Sequence, residues 1–305
     1  MNLSITLAAT VLSTAALLAI VRRILHEGRV VVVAPLAAGL NLVAVSLALL
    51  WFGRAASFAL VLGVLAGLIV AAGVVVRVRG DRAGPPWSWG LSPAATAGYL
   101  ALGLFIGAGT LALWSGSVWG GTSHENLFQH TGLAAMLARE PSELRHPLEP
   151  DHALVYRVGF HYAVAGYARV AGLGVPTVMQ VIVLAAALIG VAALFGAVLR
   201  SHRPRIALLA SLLFFAGGPV SYLIGVLPPS GPGDAVDRVM RVVERLPAGA
   251  TQPGPLGQMA QVNGSFVFGY MIGAVALALY VEVWRAHGTR RWVLAVAAGL
   301  ALGAL

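Results

Sequence analysis

The chain runs to 305 residues, of which 59% are hydrophobic and only 10% charged, and all 20 of its basic residues are arginine. A soluble domain carries about 25% charged residues, so this composition cannot clothe a globular surface and excludes a soluble fold. The formal charge of +9 sits at the ends of apolar runs, which places it against anionic lipid and not nucleic acid, and the absence of cysteine excludes disulfides and thiolate metal sites.

The first apolar run, 3–21, has no basic stretch before it, and Arg22 and Arg23 follow it. That is the reverse of a signal peptide, so it reads as a retained helix with its N-terminus outside. Runs near 30–52, 55–76, 94–115, 174–199, 206–227 and 264–284 are each apolar over the length of a span, and an eighth begins at 292. This last run reaches Leu305 without a stop signal, which points to a longer protein. Residues 1–79 then hold three N-terminal spans, 80–93 form a Pro/Gly-rich cytoplasmic loop, and 94–305 hold the remaining spans. Asn41 is expected to bond across to a neighbouring helix, and Gly217-Gly218-Pro219 to kink the sixth span.

Arginine placement sets the orientation. Clusters at Arg22/Arg23/Arg29, Arg77/Arg79/Arg82, Arg200/Arg203/Arg205 and Arg285/Arg290/Arg291 follow the first, third, fifth and seventh spans, and hold 12 of the 20 Arg. All four fall in the cytoplasm if the stretch 152–172 lies at the interface and does not cross. Two long segments, 116–173 and 228–263, then remain external. The second carries Pro/Gly-rich ends around Asp234–Leu246, whose Val236, Val239, Met240 and Val243 recur at helical spacing.

The first external segment concentrates the polar chemistry. It holds five of the eight His, namely His124, His130, His146, His152 and His161, and five of the eleven acids. From Ser123 to Arg139 an amphipathic helix is expected, with Leu127, Phe128, Thr131, Ala134, Ala135 and Ala138 on its apolar face, stopped before Pro141. A second, near 153–171, aligns Arg157, His161 and Arg169 on one stripe, opposite Phe160, Val164 and Ala168. Such a stripe fits two roles: gripping a phosphate at headgroup depth through guanidinium forks, or snorkelling to ordinary anionic lipid.

Glu125, where the chain leaves the membrane, is the candidate general base. It also completes a T-x-x-E capping box with Thr122, a purely structural use of the same carboxylate. The histidines with Glu125 or Asp151 offer a low-ranked divalent metal site, but no H-x-x-x-H pair supports one. No cofactor is assigned.

The order of features from 94 to 227 resembles the GT-C membrane glycosyltransferases, in which a span leads into a large external loop opening on an acidic motif. Two juxtamembrane helices and a short Gly turn follow. The matching stretches are His124-Glu125 with the helix to Arg139, Pro147-Leu-Glu-Pro-Asp151-His152, Val155-Tyr-Arg-Val-Gly-Phe-His161-Tyr162, and the turn Ala171-Gly-Leu-Gly-Val-Pro176. The family pattern has Asp where this chain has His-Glu, and three extra spans precede the matching region. The resemblance implies an all-α multi-pass bundle with amphipathic interfacial helices, sited in a bacterial plasma membrane. It further implies transfer of a sugar from a polyprenyl-phosphate donor to an external glycan or lipid acceptor. Glu125 would then be catalytic, and Arg157, His161, His124, Tyr162, Arg169 and Asp151 would bind substrate. The alternative is a non-catalytic lipid-binding or transport protein on a similar bundle.

Overall fold

A computed structural model describes residues 3–78, 85–119, 125–141, 158–216 and 264–303. Among them are ten α-helices and no strand: α1 (Leu3–Leu25), α2 (Val30–Phe52), α3 (Phe58–Val78), α4 (Pro93–Trp119), α5 (Glu125–Arg139), α6 (Gly159–Ala171), α7 (Val175–Leu199), α8 (Pro204–Ala216), α9 (Gly264–Arg285) and α10 (Gly288–Gly303). Six of these, α1–α4, α7 and α9, are long and apolar enough to cross a membrane. The chain is a multi-pass membrane protein. The sixth and eighth expected spans appear among the described residues as helices of 13 and 16 residues.

Three helices form the centre. The most apolar stretches of α2, α7 and α9 bury 67%, 56% and 56% of their residues, against 17% for α1, α3 and α4. The outer helices therefore turn most of their surface to lipid: Val11 is 64% exposed, Leu68 64% and Leu104 74%. In water such surface would be an aggregation hazard; in hydrocarbon it needs no protein partner. Helices on both sides of the 80–93 loop share their cores. Val21 and Leu25 of α1 cluster with Val33 and Ala37 of α2, Leu279 of α9 and Leu294 of α10.

Small residues set how closely the central helices approach, as is usual where lipid supplies no hydrophobic drive. A Cβ on Gly196 of α7 would stand 3.0 Å from the Val32 Cα of α2, and one on Gly190 would stand 3.1 Å from the Met271 Cα of α9. Asn41 makes the expected cross-helix bonds: its amide donates to Thr14 Oγ1 of α1 at 2.9 Å and to the Thr10 carbonyl at 3.4 Å.

The bundle has two unlike ends. One collects the C-termini of α1, α3, α7 and α9 and the N-termini of α2, α4, α8 and α10, and it carries arginines. There Arg22 donates to the Pro85 carbonyl at 2.6 Å and lies 4.3 Å from the Trp87 ring centroid. The segment 85–92 is pinned to the α1–α2 turn by Val30 N–H to Ser88 O at 2.9 Å and Ser88 N–H to Gly28 O at 3.1 Å. Exposed Trp87, Trp89, Trp284 and Trp292 surround this end, and Trp51 and Phe52 mark the other. Aromatic rings at both ends are what the two membrane–water boundaries select.

At the arginine end two buried carboxylates organise four guanidiniums. Glu282 of α9, 2% exposed, accepts from Arg285 at 2.7 Å and pairs with Arg200 at 3.1 Å and Arg290 at 3.9 Å. Glu27 takes a forked pair from Arg29, with Nε at 3.0 Å and Nη2 at 2.8 Å, and faces Arg200 at 3.8 Å. Arg285 also reaches Ser201, and Arg290 donates to the Leu25 carbonyl at 3.1 Å. Burial pushes the Glu27 carboxyl up, but the hydrogen bonds and charge of Arg29, with Arg200 behind it, outweigh that and leave it below its ordinary value. Arg200 links both carboxylates, and its own pKa is lowered by burial against their pull. Arginine clusters that read as loop charge alone are in part a clamp on α1, α2, α7, α9 and α10.

Candidate functional site

The opposite end is built on α5 and α6, two short helices packed on each other and against α2 and α7. α5 stops at Arg139, before Pro141, as the sequence expects. α6 ends on Gly172, whose φ of 70° suits glycine; its N–H and that of Leu173 both reach the Ala168 carbonyl. Gly174 then caps α7, with Pro176 in the first turn. The short glycine turn between α6 and α7 is thus present.

α6 departs from a helix lying open on a lipid surface. Ten of its 13 residues are buried, including Phe160 and Val164 on one side and His161 and Tyr162 on the other. A helix enclosed all round belongs inside a bundle. His161 is 0% exposed, so the expected cationic stripe is not a continuous surface feature: within the described residues only Arg169 stands at the surface.

The reason is a partner on α5. His130, 3% exposed, sets its Nδ1 2.8 Å from the His161 Nε2, with the rings stacked at 5.0 Å between centroids and 22° between planes. Phe160 stands edge-on to both imidazoles, at 6.5 Å from His130 and 5.3 Å from His161. A buried imidazole is tolerable when another imidazole satisfies it. The pairing also moves the buried face of α5. Leu133, Ala134 and Leu137 are buried with His130, at i, i+3, i+4 and i+7, one position away from the face that the apolar pattern alone suggests.

Tyr162 and Arg169 hold the helix pair together. The Tyr162 hydroxyl donates to the Pro141 carbonyl at 2.6 Å and accepts from Arg54 Nε at 3.1 Å, and its ring meets Phe58 edge-on at 6.3 Å. Arg169 Nη1 donates to the Ala138 and Arg139 carbonyls at 3.0 and 3.3 Å. It thereby places positive charge on the C-terminus of α5, where the helix dipole favours it. Both side chains thus make structural contacts within the protein. Tyr162→Phe is expected to cost about 1–2 kcal/mol, because it strips one partner from each of two polar groups. Thermal unfolding in detergent should show a drop of a few degrees, and an unchanged midpoint would mean that water replaces the hydroxyl.

Of the other candidates, Glu125 opens α5, while His124, Asp151 and Arg157 lie outside the described residues. Among the described residues no group of three His, Asp or Glu could hold a metal ion. Arg54 was not singled out by the sequence, since one arginine after a span is ordinary loop charge. No known protein family, curated protein or solved structure matches the chain.

Proposed function

We propose that this chain is the membrane core of a glycosyltransferase of the GT-C kind, using a polyprenyl-phosphate sugar and an acceptor presented at the α5–α6 end. The arginine end faces the cytoplasm of a bacterial plasma membrane, and the N-terminus and segments 116–173 and 228–263 face outside. The observation that carries the reading is the α5–α6 pair: a span, two short helices enclosing polar groups, a glycine turn and the next span, all at one end of the bundle.

In the transfer, an acceptor oxygen attacks the anomeric carbon as the bond from that carbon to the phosphate oxygen breaks. The electron pair leaves with the lipid phosphate, the configuration inverts, and Glu125 takes the acceptor proton. Arg157 neutralises the leaving phosphate. His161, paired and buried, supports that site from within the helix pair.

Native mass spectrometry of the protein extracted in mild detergent tests this. A retained polyprenyl-phosphate species that is lost in Arg157→Ala, with Glu125→Gln keeping the lipid but abolishing its turnover, is the expected result. Retention of ordinary phospholipid alone, unchanged by Arg157→Ala, would overturn it. One observation favours a second reading, a non-catalytic lipid-binding or transport protein. Between α1, α2, α3 and α6 a small, mainly apolar cavity, lined by Ala9, Val45, Leu62, Leu65 and Ala66 as well as Thr6, Thr10, Ser13, Asn41 and Tyr167, has room for about one water. The buried Asn41 Oδ1 has no hydrogen-bond partner there among the described residues.

A further inference from the structure

We propose that His130 and His161 form a proton-binding site that clamps α5 to α6 and releases them when it takes up a second positive charge. With Nδ1 and Nε2 2.8 Å apart, one N–H must lie between the two nitrogens and point at a lone pair on the other. A neutral pair satisfies this, and so does a pair carrying one extra proton on an outer nitrogen. With two extra protons both facing nitrogens carry hydrogen, no lone pair remains between them, and two cations sit with ring centroids 5.0 Å apart. That state cannot keep this geometry, so the helices must part.

On the helix pair itself, α5 and the residue after it bring Glu125, Arg139 and Glu140, and α6 brings Tyr162, Tyr167 and Arg169. The α2–α3 turn brings Arg54, α4 brings Tyr99, α9 brings Tyr270, and α2 and α7 bring no ionisable side chain, while α1 and α3 carry Arg22, Arg23 and Arg77 in their last turns, at the arginine end. Tyr162 and Arg169 are engaged with backbone carbonyls, and Glu140 is exposed. The buried carboxylates among the described residues, Glu27 and Glu282, belong to the arginine end. Because one N–H fits between the facing nitrogens and two do not, the clamped state binds fewer protons than the parted one. Its stability is full above the ordinary histidine range and falls as pH drops through it.

The cysteine-free chain gives a clean background for thiol accessibility. Ala134→Cys places a reporter on the face of α5 that is 0% exposed, and Arg139→Cys supplies an exposed reference on the same helix. The full chain in detergent is labelled with a small methanethiosulfonate reagent between about pH 8 and pH 5, a range spanning the ordinary histidine pKa. The ratio of the two rates is expected to rise toward tenfold per pH unit below that pKa. His130→Gln should flatten the rise, because a glutamine oxygen accepts from a protonated His161 without repulsion. A flat wild-type ratio overturns the proposal, as does a rise that persists in His130→Gln. The wild-type series decides alone if the glutamine variant does not fold. The readout is helix separation, so its failure leaves the sugar-transfer reading standing.

Discussion

Glu282→Gln is expected to be the most damaging single change at the arginine end. In the native protein this carboxylate, 2% exposed, is the common partner of Arg200, Arg285 and Arg290. Glutamine keeps the shape but removes the charge, leaving three guanidiniums gathered around a neutral amide with Glu27 their remaining buried counter-ion among the described residues. Removing one member of a buried ion pair costs about 3–5 kcal/mol, which for a chain of this size lowers the thermal midpoint by on the order of 10 °C. Arg285→Gln serves as the reference: its side chain is 32% exposed, and a pair partner that wet is worth about 1 kcal/mol or less. Midpoints measured in the same detergent should separate the two variants clearly. If both fall equally little, the network is a surface feature and not a clamp. The double change Glu282→Leu with Arg200→Leu should recover part of the loss, since apolar side chains need no desolvation.

The network also shows where reading the sequence succeeds and fails. Apolar runs and arginine clusters are one-dimensional signals, so α1–α4, α7 and α9 and the arginine end follow from them directly. What pairs with those arginines is not legible in the same way. Glu27 and Glu282 are 255 positions apart, and only folding brings both to Arg200. A local hint existed, because Glu282 is a carboxylate in the last turn of an apolar helix with Arg285 three residues on, and ionisable groups in spans rarely lack a purpose.

At the α5–α6 end the error has one physical source. A periodicity argument treats histidine as polar and turns it toward water. With His130 and His161 assigned outward, α5 acquires a buried face one position off and α6 becomes a surface helix with a cationic stripe. Two polar groups 31 positions apart that satisfy each other invert both conclusions. The contacts of Tyr162 are as hard to read from sequence, because its hydroxyl meets Pro141 and Arg54, 21 and 108 positions away. Asn41 was legible because an amide in the middle of a span has few alternatives to a cross-helix bond.

Glycine placement supplies the second large effect. Gly196→Leu should destabilise the bundle by about 3 kcal/mol, because its Cβ would face the Val32 Cα at 3.0 Å and the Val31 carbonyl at 3.2 Å. Both are backbone atoms and cannot turn aside as a side-chain tip would, so α2 and α7 must separate along their contact. Gly63→Leu on α3 is the matched control: nothing stands within 4 Å of its Cβ, on a helix whose surface is mostly left to lipid. The same chemical change therefore adds strain at one site and harmless apolar surface at the other. Thermal midpoints of the two variants in one detergent test this, with only Gly196→Leu expected to fall. Equal midpoints would mean that α2 and α7 are not packed through Gly196. The central trio that carries both the arginine clamp and the α5–α6 end would then need another basis.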